Sequence, residues 1–453
     1  MDGQKGFLFF KLTGRTTVTL MILCGAIAAP LPIRAASLKV NLELDAQYNY
    51  SSNIDAVDPS LMTPTKAQYM NLLAGGGINY RLSHVELGAK GNLGYTYYLI
   101  TTGEVEKVGN IPTWRYDYFR AAASGWARYI GRILTVDLND DLIRTRNLAD
   151  VYGPQTDALS ERFLYTDNIA SLQLRFKLSP KTRLLLKYSY ETLEFTKPEN
   201  PVMYIYQPPN SIENRGYFRG EYDFNSRNTI FLDAQGGERI FLSRTIANTK
   251  ESYTDYNFYQ GLLGYRHRFN ERSDVEVAGG AANRHFFHEQ NIILMDYANP
   301  MARAAYNRSQ PDKYNFSVQG EWGTSTFGQD LFFDYINAGL TFKYFFTRKL
   351  TAEVLGNYSN DLFRTVRNDR TALWKTDRVD NIYVGRATVA WDLIQKNKET
   401  VLGLRAGYEH RVRDSNLDAP SDYKIPILWT SYDTTIDYYF AEVDFLPMIL
   451  IGH

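Results

Sequence analysis

Arg175 and Lys177 stand just before a Ser179-Pro180-Lys181 turn, and Arg183 and Lys187 stand just after it. Between them run Ala170, Leu172, Leu174 and Phe176, then Leu184, Leu186, Tyr188 and Tyr190. Side chains on a strand alternate faces, so the cations share one face of a hairpin and the apolar residues the other. Four cations this close repel one another unless acidic neighbours or a passing anion offset them, and Glu191 lies too far along the strand to do so alone. Arg266, Arg386 and Arg405 hold the same kind of position in later alternating runs, as do Arg120, Arg128, Arg268, Lys343 and Arg411. A basic stretch of this kind in a wet passage favours anionic solutes or an acidic glycan. Carboxylates take the same face: Glu86, Asp137, Asp141, Asp233, Asp274, Glu276, Glu321, Glu353, Asp392 and Glu409. An equally direct reading is therefore a set of cross-strand ladders that solvate and stiffen a polar wall. Both readings require water on that face.

Catalytic and metal chemistry is poorly supplied. His84 and His267 sit beside short turns, His453 is terminal, and His285 and His288 have a helical spacing rather than a strand spacing for joint metal binding. His410 falls on the apolar face near the end of a run, where a barrel hydrolase places a catalytic histidine, but no serine with a supporting carboxylate is evident beside it. Asp137-Leu138-Asn139-Asp140-Asp141 has the look of a calcium loop, yet it lacks the turn glycine and the distal glutamate, and Leu134, Val136 and Leu138 already place it on a strand. Gly75-Gly76-Gly77 has no strand-to-helix context for phosphate and reads as small wall residues. The chain is expected to be no enzyme and to need no cofactor or metal.

The elements that must position these residues are long two-faced strands. Val85, Leu87, Ala89, Gly91, Leu93, Tyr95 and Tyr97 alternate with Glu86, Gly88, Lys90, Asn92, Gly94 and Thr96. A soluble sandwich strand of about 5–6 residues would not sustain this, whereas a transmembrane barrel strand needs roughly 9–11. Short polar turns recur at 81–83, 131–132, 179–181, 226–228, 270–272, 310–312, 347–349 and 396–398. Each implies a hairpin. One further strand precedes the first (about 38–50) and one follows the last (about 432–445), giving an all-β, antiparallel transmembrane barrel of about eighteen strands. Long polar connections between the hairpins, from 51–64 to 412–431, read as extracellular loops, and the short turns as periplasmic ones. The run near 299–309 alternates weakly, and sixteen strands is the alternative.

The whole-chain features agree. Lys5, Lys11 and Arg15 precede an apolar run from Val18 to Ala29, with Ala35 a suitable last residue before cleavage, so 1–35 reads as an export signal. The run is shorter than the ~20 residues of a membrane-spanning helix. The one cysteine, Cys24, lies within it and is preceded by Leu23, a poor lipoprotein signal. Residues 36–445 read as a single barrel and 446–453 as a tail, because Pro447 interrupts a ladder. Fifty acidic residues balance fifty basic ones, which argues against nucleic acid as a partner. The 34 tyrosines suit a lipid–water boundary, where Tyr95, Tyr97, Tyr98, Tyr116, Tyr118, Tyr188, Tyr190 and Tyr358 are expected to form a girdle, although such rings also stack on sugars. The expected place is the outer membrane of a diderm bacterium, among its lipids. Tyr439, Ala441, Val443 and Phe445 alternate in the last strand and end on an aromatic, as a signal to the barrel assembly machinery should.

The first strand followed by Tyr50-Ser51-Ser52-Asn53-Ile54 resembles the start of an outer-membrane β-barrel family found with exopolysaccharide and exosortase gene clusters. Tyr358-Ser359-Asn360-Asp361 is a related segment late in the chain. The resemblance extends over about 37–445 and implies a non-enzymatic channel or scaffold for an exported polysaccharide, acidic if the basic stretch lines its path, with polysaccharide and secretion partners. A general diffusion porin for small solutes is the alternative the lumen charges equally allow, and a lipid hydrolase built on His410 is the third reading.

Overall fold

The computed structural model describes residues 37–52, 66–102, 107–108, 111–112, 118–145, 164–196, 210–242, 255–286, 297–324, 333–363, 378–396, 399–416 and 434–451. The export signal, much of each long loop, His288 and Tyr116 lie outside them. In chain order the strands are β1 (Ser37–Ser51), β2 (Lys66–Arg81), β3 (Val85–Thr102), β4 (Tyr118–Ile130), β5 (Leu134–Thr145), β6 (Tyr165–Lys177), β7 (Thr182–Phe195), β8 (Ser211–Asp223) and β9 (Asn228–Phe241). They continue as β10 (Tyr256–Asn270), β11 (Ser273–Phe286), β12 (Tyr297–Gln310), β13 (Tyr314–Thr324), β14 (Phe333–Phe345), β15 (Leu350–Phe363), β16 (Arg378–Lys396), β17 (Glu399–Ser415) and β18 (Thr434–Phe445). Each pairs antiparallel with the next, and β1 pairs with β18, so the sheet closes. Among the described residues this makes a barrel of eighteen strands. Closure leaves no open edge, the condition for a sheet to stand in hydrocarbon. The weakly alternating run near 299–309 is a full strand, β12, and the count stands at eighteen.

The short turns are made by their own side chains. Ser179 Oγ accepts from the backbone N–H of Lys181 and Thr182, at 3.1 and 3.0 Å. Asn225 Oδ1 accepts from Arg227 and Asn228, and Thr347 Oγ1 from Lys349 and Leu350. Such groups mimic a turn's backbone hydrogen bond and so stop the ladder where they occur. Asp312 adopts φ 57°, the left-handed conformation that Asp tolerates better than most residues.

The two faces follow the sequence pattern. Leu93, Leu263, Ile336, Val354 and Val389 project outward and are exposed in the isolated chain, which in a membrane is contact with lipid. Aromatic pairs edge this belt at both ends. Tyr306, Tyr314, Phe316, Phe342, Tyr344 and Phe346 cluster beside the short turns, while Tyr358–Tyr383 and Tyr408–Tyr439 lie near the long-loop end, with ring centroids 5.1 and 4.7 Å apart. This outer-membrane barrel thus carries the two girdles expected at lipid–water boundaries. Tyr98 and Tyr118, by contrast, face inward: Tyr98 pairs with Tyr69, and Tyr118 with Thr96.

Inward aromatics lie flat over glycines of the neighbouring strand. Trp126 covers Gly88, Phe231 covers Gly264 and Phe440 covers Gly407, and a Cβ on any of these glycines would run into the ring. The wall therefore gains rigid packing without closing the lumen.

The chain does not leave the wall after Phe445. Met448–Ile451 pairs with Leu38–Asn41 of β1, so the expected tail is instead a continuation of the seam. Pro447 does interrupt the ladder, but locally: it has no N–H to place, and its carbonyl accepts from Leu42 N at 3.0 Å. Lys39 reaches past this break to Glu399 on β17, at 2.8 Å.

Candidate functional site

The candidate site is the lumen, built from the odd or even positions that each strand turns inward. Arg175, Lys177, Arg183 and Lys187 all take inward positions on the β6–β7 hairpin, where Lys177 is the register partner of Arg183 and Gln173 that of Lys187. The acidic neighbours that offset them come from flanking strands. Asp137 on β5 accepts from Arg175 Nη2 at 2.8 Å and also pairs with Arg128, which faces Glu86 in turn. Arg183 bonds Glu221 and Asp223 on β8, both at 2.9 Å. Lys177 and Lys187 make no ion pair among the described residues, and both are exposed to the lumen.

Arg183 also belongs to a larger assembly. Arg219, Arg266 and Arg303 join it with Glu221, Asp223, Asp233 and Glu276 in a belt that crosses six consecutive strands, β7 to β12. Arg219 is central: its guanidinium reaches Glu221 at 2.8 Å, Asp233 at 3.1 Å and Glu276 at 3.4 Å. Arg266 bonds Glu276 at 2.6 Å and approaches Glu221 at 3.8 Å. Arg303 spans Asp233 and Glu276 at 2.9 and 2.8 Å. Tyr217 donates to Asp233, and the ring of Phe231 lies beneath Arg219, 4.2 Å from its guanidinium carbon. Four cations meet four carboxylates, so the belt is close to neutral and each member is held in place by at least one other.

The remaining sequence-predicted cations stand apart from it. Arg386 Nε donates to Glu409 at 2.7 Å, and Arg411 approaches the same carboxylate at 3.2 Å. Arg405 faces Glu442 at 3.2 Å and Asp444 at 3.9 Å. Asp45, Glu442 and Asp444 come within 4.8 Å of one another, and Arg405 supplies part of their compensation. Thus all seven predicted residues face the lumen, but the structure brings only Arg183 and Arg266 into one network, and the seven form no continuous basic path.

Sequence reasoning missed Arg219, Arg303, Glu221 and Asp223. The first, third and fourth were signalled by the inward run Glu213, Arg215, Tyr217, Arg219, Glu221, Asp223, an unbroken polar face on β8. Arg303 was hidden by the weak alternation of β12.

Toward the long-loop end more of the inward charged side chains are buried. Asp167, Glu213, Arg239 and Arg284 are each at most 3% exposed, against 49% for the Arg175 side chain near the short turns. Arg239 bonds Glu191 at 3.1 Å and lies 3.4 Å from Glu213, while Arg215 and Arg284 sit over the rings of Phe258 and Tyr256. On β1, β2 and β3 the inward positions at this level are neutral. Gln47, Asn71 and Thr96 form a chain of neutral hydrogen bonds there, at 2.9 and 2.8 Å.

His410 faces outward, as its register with Gly385 requires, and is bonded to Asp437 on β18 at 2.8 Å.

No protein-family model matches the chain, and no curated protein matches it significantly. The resemblance to the exopolysaccharide-associated family therefore rests on its short motifs. Among solved structures, OccAB3 of Acinetobacter baumannii matches 91% of this chain and 99% of its own, at 11% identity and a TM-score of 0.45. The outer membrane protein OprD of Pseudomonas aeruginosa matches at 11% identity and 0.45, over 91% and 94% of the two chains. A BenF-like porin from Pseudomonas fluorescens Pf-5 matches at 11% identity and 0.48, over 91% and 99%.

Proposed function

We propose that this protein is a passive outer-membrane channel for small solutes, with a mild bias toward anions set by Lys177 and Lys187. The observation that carries the reading is the closed barrel whose inward face is charged throughout, with exposed cations near the short turns and the buried charged side chains of Asp167, Glu213, Arg239 and Arg284 at the other end. A graded passage of this kind suits a small polar solute better than a polymer chain, so the small-solute reading replaces polysaccharide export as the preferred one. The arginines of the belt sit in a charge-balanced network, and the two lysines of the basic stretch, which make no ion pair among the described residues, carry the bias. Lys177 stands level with Arg183 beside the short turn and Lys187 four residues further in, level with Tyr217, so both line the passage alongside the belt.

Purified protein in planar bilayers should give stepwise conductance with a reversal potential displaced slightly toward the anion. Folded, inserted protein that conducts nothing would refute the channel. We also infer that the assembly machinery reads the last strand through Tyr439 and Phe445, the outward aromatics that alternate up to the Pro447 break.

A further inference from the structure

The lipid-facing surface carries a trough of about 540 Å3 that crosses five strands, from His410 on β17 to Val318 on β13. His410, Gly385, Gly356, Leu340 and Val318 form one line of direct register partners, so the trough follows a single row across the sheet. His410 lies near the outer end of its strand and Val318 near the periplasmic start of its own, and the row therefore descends from the outer girdle into the hydrocarbon. Four strand spacings span about 19 Å along the row; with strands tilted by about 35–45° the row descends roughly 11–13 Å, most of one leaflet of a core ~30 Å thick.

The floor of the trough has no internal cause. Glycine within a strand costs roughly 0.5–1 kcal/mol relative to alanine. Gly88, Gly264 and Gly407 are required because rings of this chain lie on them. Gly356 and Gly385 are different: nothing lies within 4 Å of a Cβ built on either. Tyr358 and Tyr383 wall the upper part, their rings paired.

The upper end is polar. Asp437 accepts from Tyr408 Oη at 2.7 Å and holds His410 Nδ1 at 2.8 Å, which leaves Nε2 at the mouth of the trough. Among the described residues, the outward neighbours at this level include Asn360, Asn381, Val412 and Asp414, with no lysine or arginine. Among these residues a lipid bearing several phosphates finds no cation to pair with. A zwitterionic head group has both partners: a phosphate for the imidazole N–H, and an ammonium for the carboxylate of Asp437.

We propose that this trough binds one zwitterionic glycerophospholipid, an acyl chain lying over Gly385 and Gly356 and the head group held by His410 and Asp437. Native mass spectrometry of the full chain, released from nanodiscs of equal phosphatidylethanolamine and phosphatidylglycerol, tests this directly. The expected result is one retained phosphatidylethanolamine, with occupancy roughly tenfold lower in His410→Ala, the loss of one charge-assisted hydrogen bond. Gly356→Leu/Gly385→Leu should abolish retention while the heat-modifiable gel shift reports an intact barrel. His410→Ala, at the exposed rim, serves if the leucine pair fails to fold. No retained lipid, equal retention of phosphatidylglycerol, lipopolysaccharide retained in place of phospholipid by outer-membrane extracts, or full retention by His410→Ala would each overturn the proposal.

Discussion

The guanidinium of Arg219 lies 4.2 Å above the ring of Phe231 while it bonds carboxylates on three strands. Phe231 in turn lies over Gly264, which has no side chain to obstruct it. Glycine, ring and cation thus stack in order from the wall toward the lumen, and the belt of charges stands on an apolar floor. The floor keeps Arg219 from collapsing onto the backbone, and the carboxylates keep it from swinging into the passage.

Replacing Arg219 by Met should therefore cost more than the loss of one exposed ion pair. Glu221, Asp233 and Glu276 would share three fewer charge-assisted contacts in a partly desolvated site. Breaking a buried pair typically costs about 3–5 kcal/mol, and roughly 3 kcal/mol is expected here because the lumen is wet. Urea unfolding from liposomes measures it; a change below about 1 kcal/mol, the scale of an exposed pair, would show that the belt is solvated wall chemistry.

Two glycine-to-alanine changes should behave oppositely. At Gly264 the added methyl meets Phe231, and overpacking of this kind costs about 1–3 kcal/mol. At Gly356 nothing lies nearby, and the change should stabilise by about 0.5–1 kcal/mol. The unfolding midpoints of the two variants, measured side by side, check the assignment of the ring.

Charge selectivity separates the lysines from the arginines. Lys177→Glu/Lys187→Glu should shift the reversal potential toward the cation without impairing assembly. Arg175→Glu should instead weaken folding, since it would face Asp137 as a like charge. At 1 M salt, where the Debye length is about 3 Å, the lysine effect should shrink markedly. An unchanged reversal potential in the double lysine variant at low salt would remove the anion bias from the proposed function.

The register of β17 predicts a sharp contrast between adjacent residues. Leu404 faces lipid opposite Val443, and Arg405 faces the lumen opposite Glu442. Leu404→Arg should cost about 2–4 kcal/mol near the bilayer midplane, whereas the neighbouring arginine is tolerated. Refolding into lipid vesicles reports the difference.

At the seam, removal of residues 448–451 would leave Leu38–Asn41 without a partner on one side. The truncated chain should unfold at a lower temperature in the heat-modifiable gel assay, while Phe445→Ala should reduce the inserted fraction more than the stability of what has inserted. Equal behaviour to the parent in both assays would show the seam and the last aromatic to be dispensable.

The alternation of residues was enough to establish an antiparallel barrel and the faces of most strands, while the weak alternation of β12 left eighteen or sixteen strands open until its pairing on both sides decided the count. The reason is local: a one-residue slip would move every arginine of a strand into lipid, so each strand carries its own register. Polar turns were equally legible, because Ser179, Asn225 and Thr347 bond the backbone of their own turn. What each inward cation meets was not legible. Arg183 finds Glu221 and Asp223 thirty-eight and forty residues away, and Arg303 finds Asp233 seventy residues away. Such partners are set by the stagger between neighbouring strands and by the reach of long side chains across two or three of them, quantities no single strand encodes. The same stagger aligns Gly356 and Gly385 with His410 into one trough and carries Met448–Ile451 back onto β1. The sequence by itself thus determined the faces of the wall; only closure of the sheet decided which residues stand side by side on them.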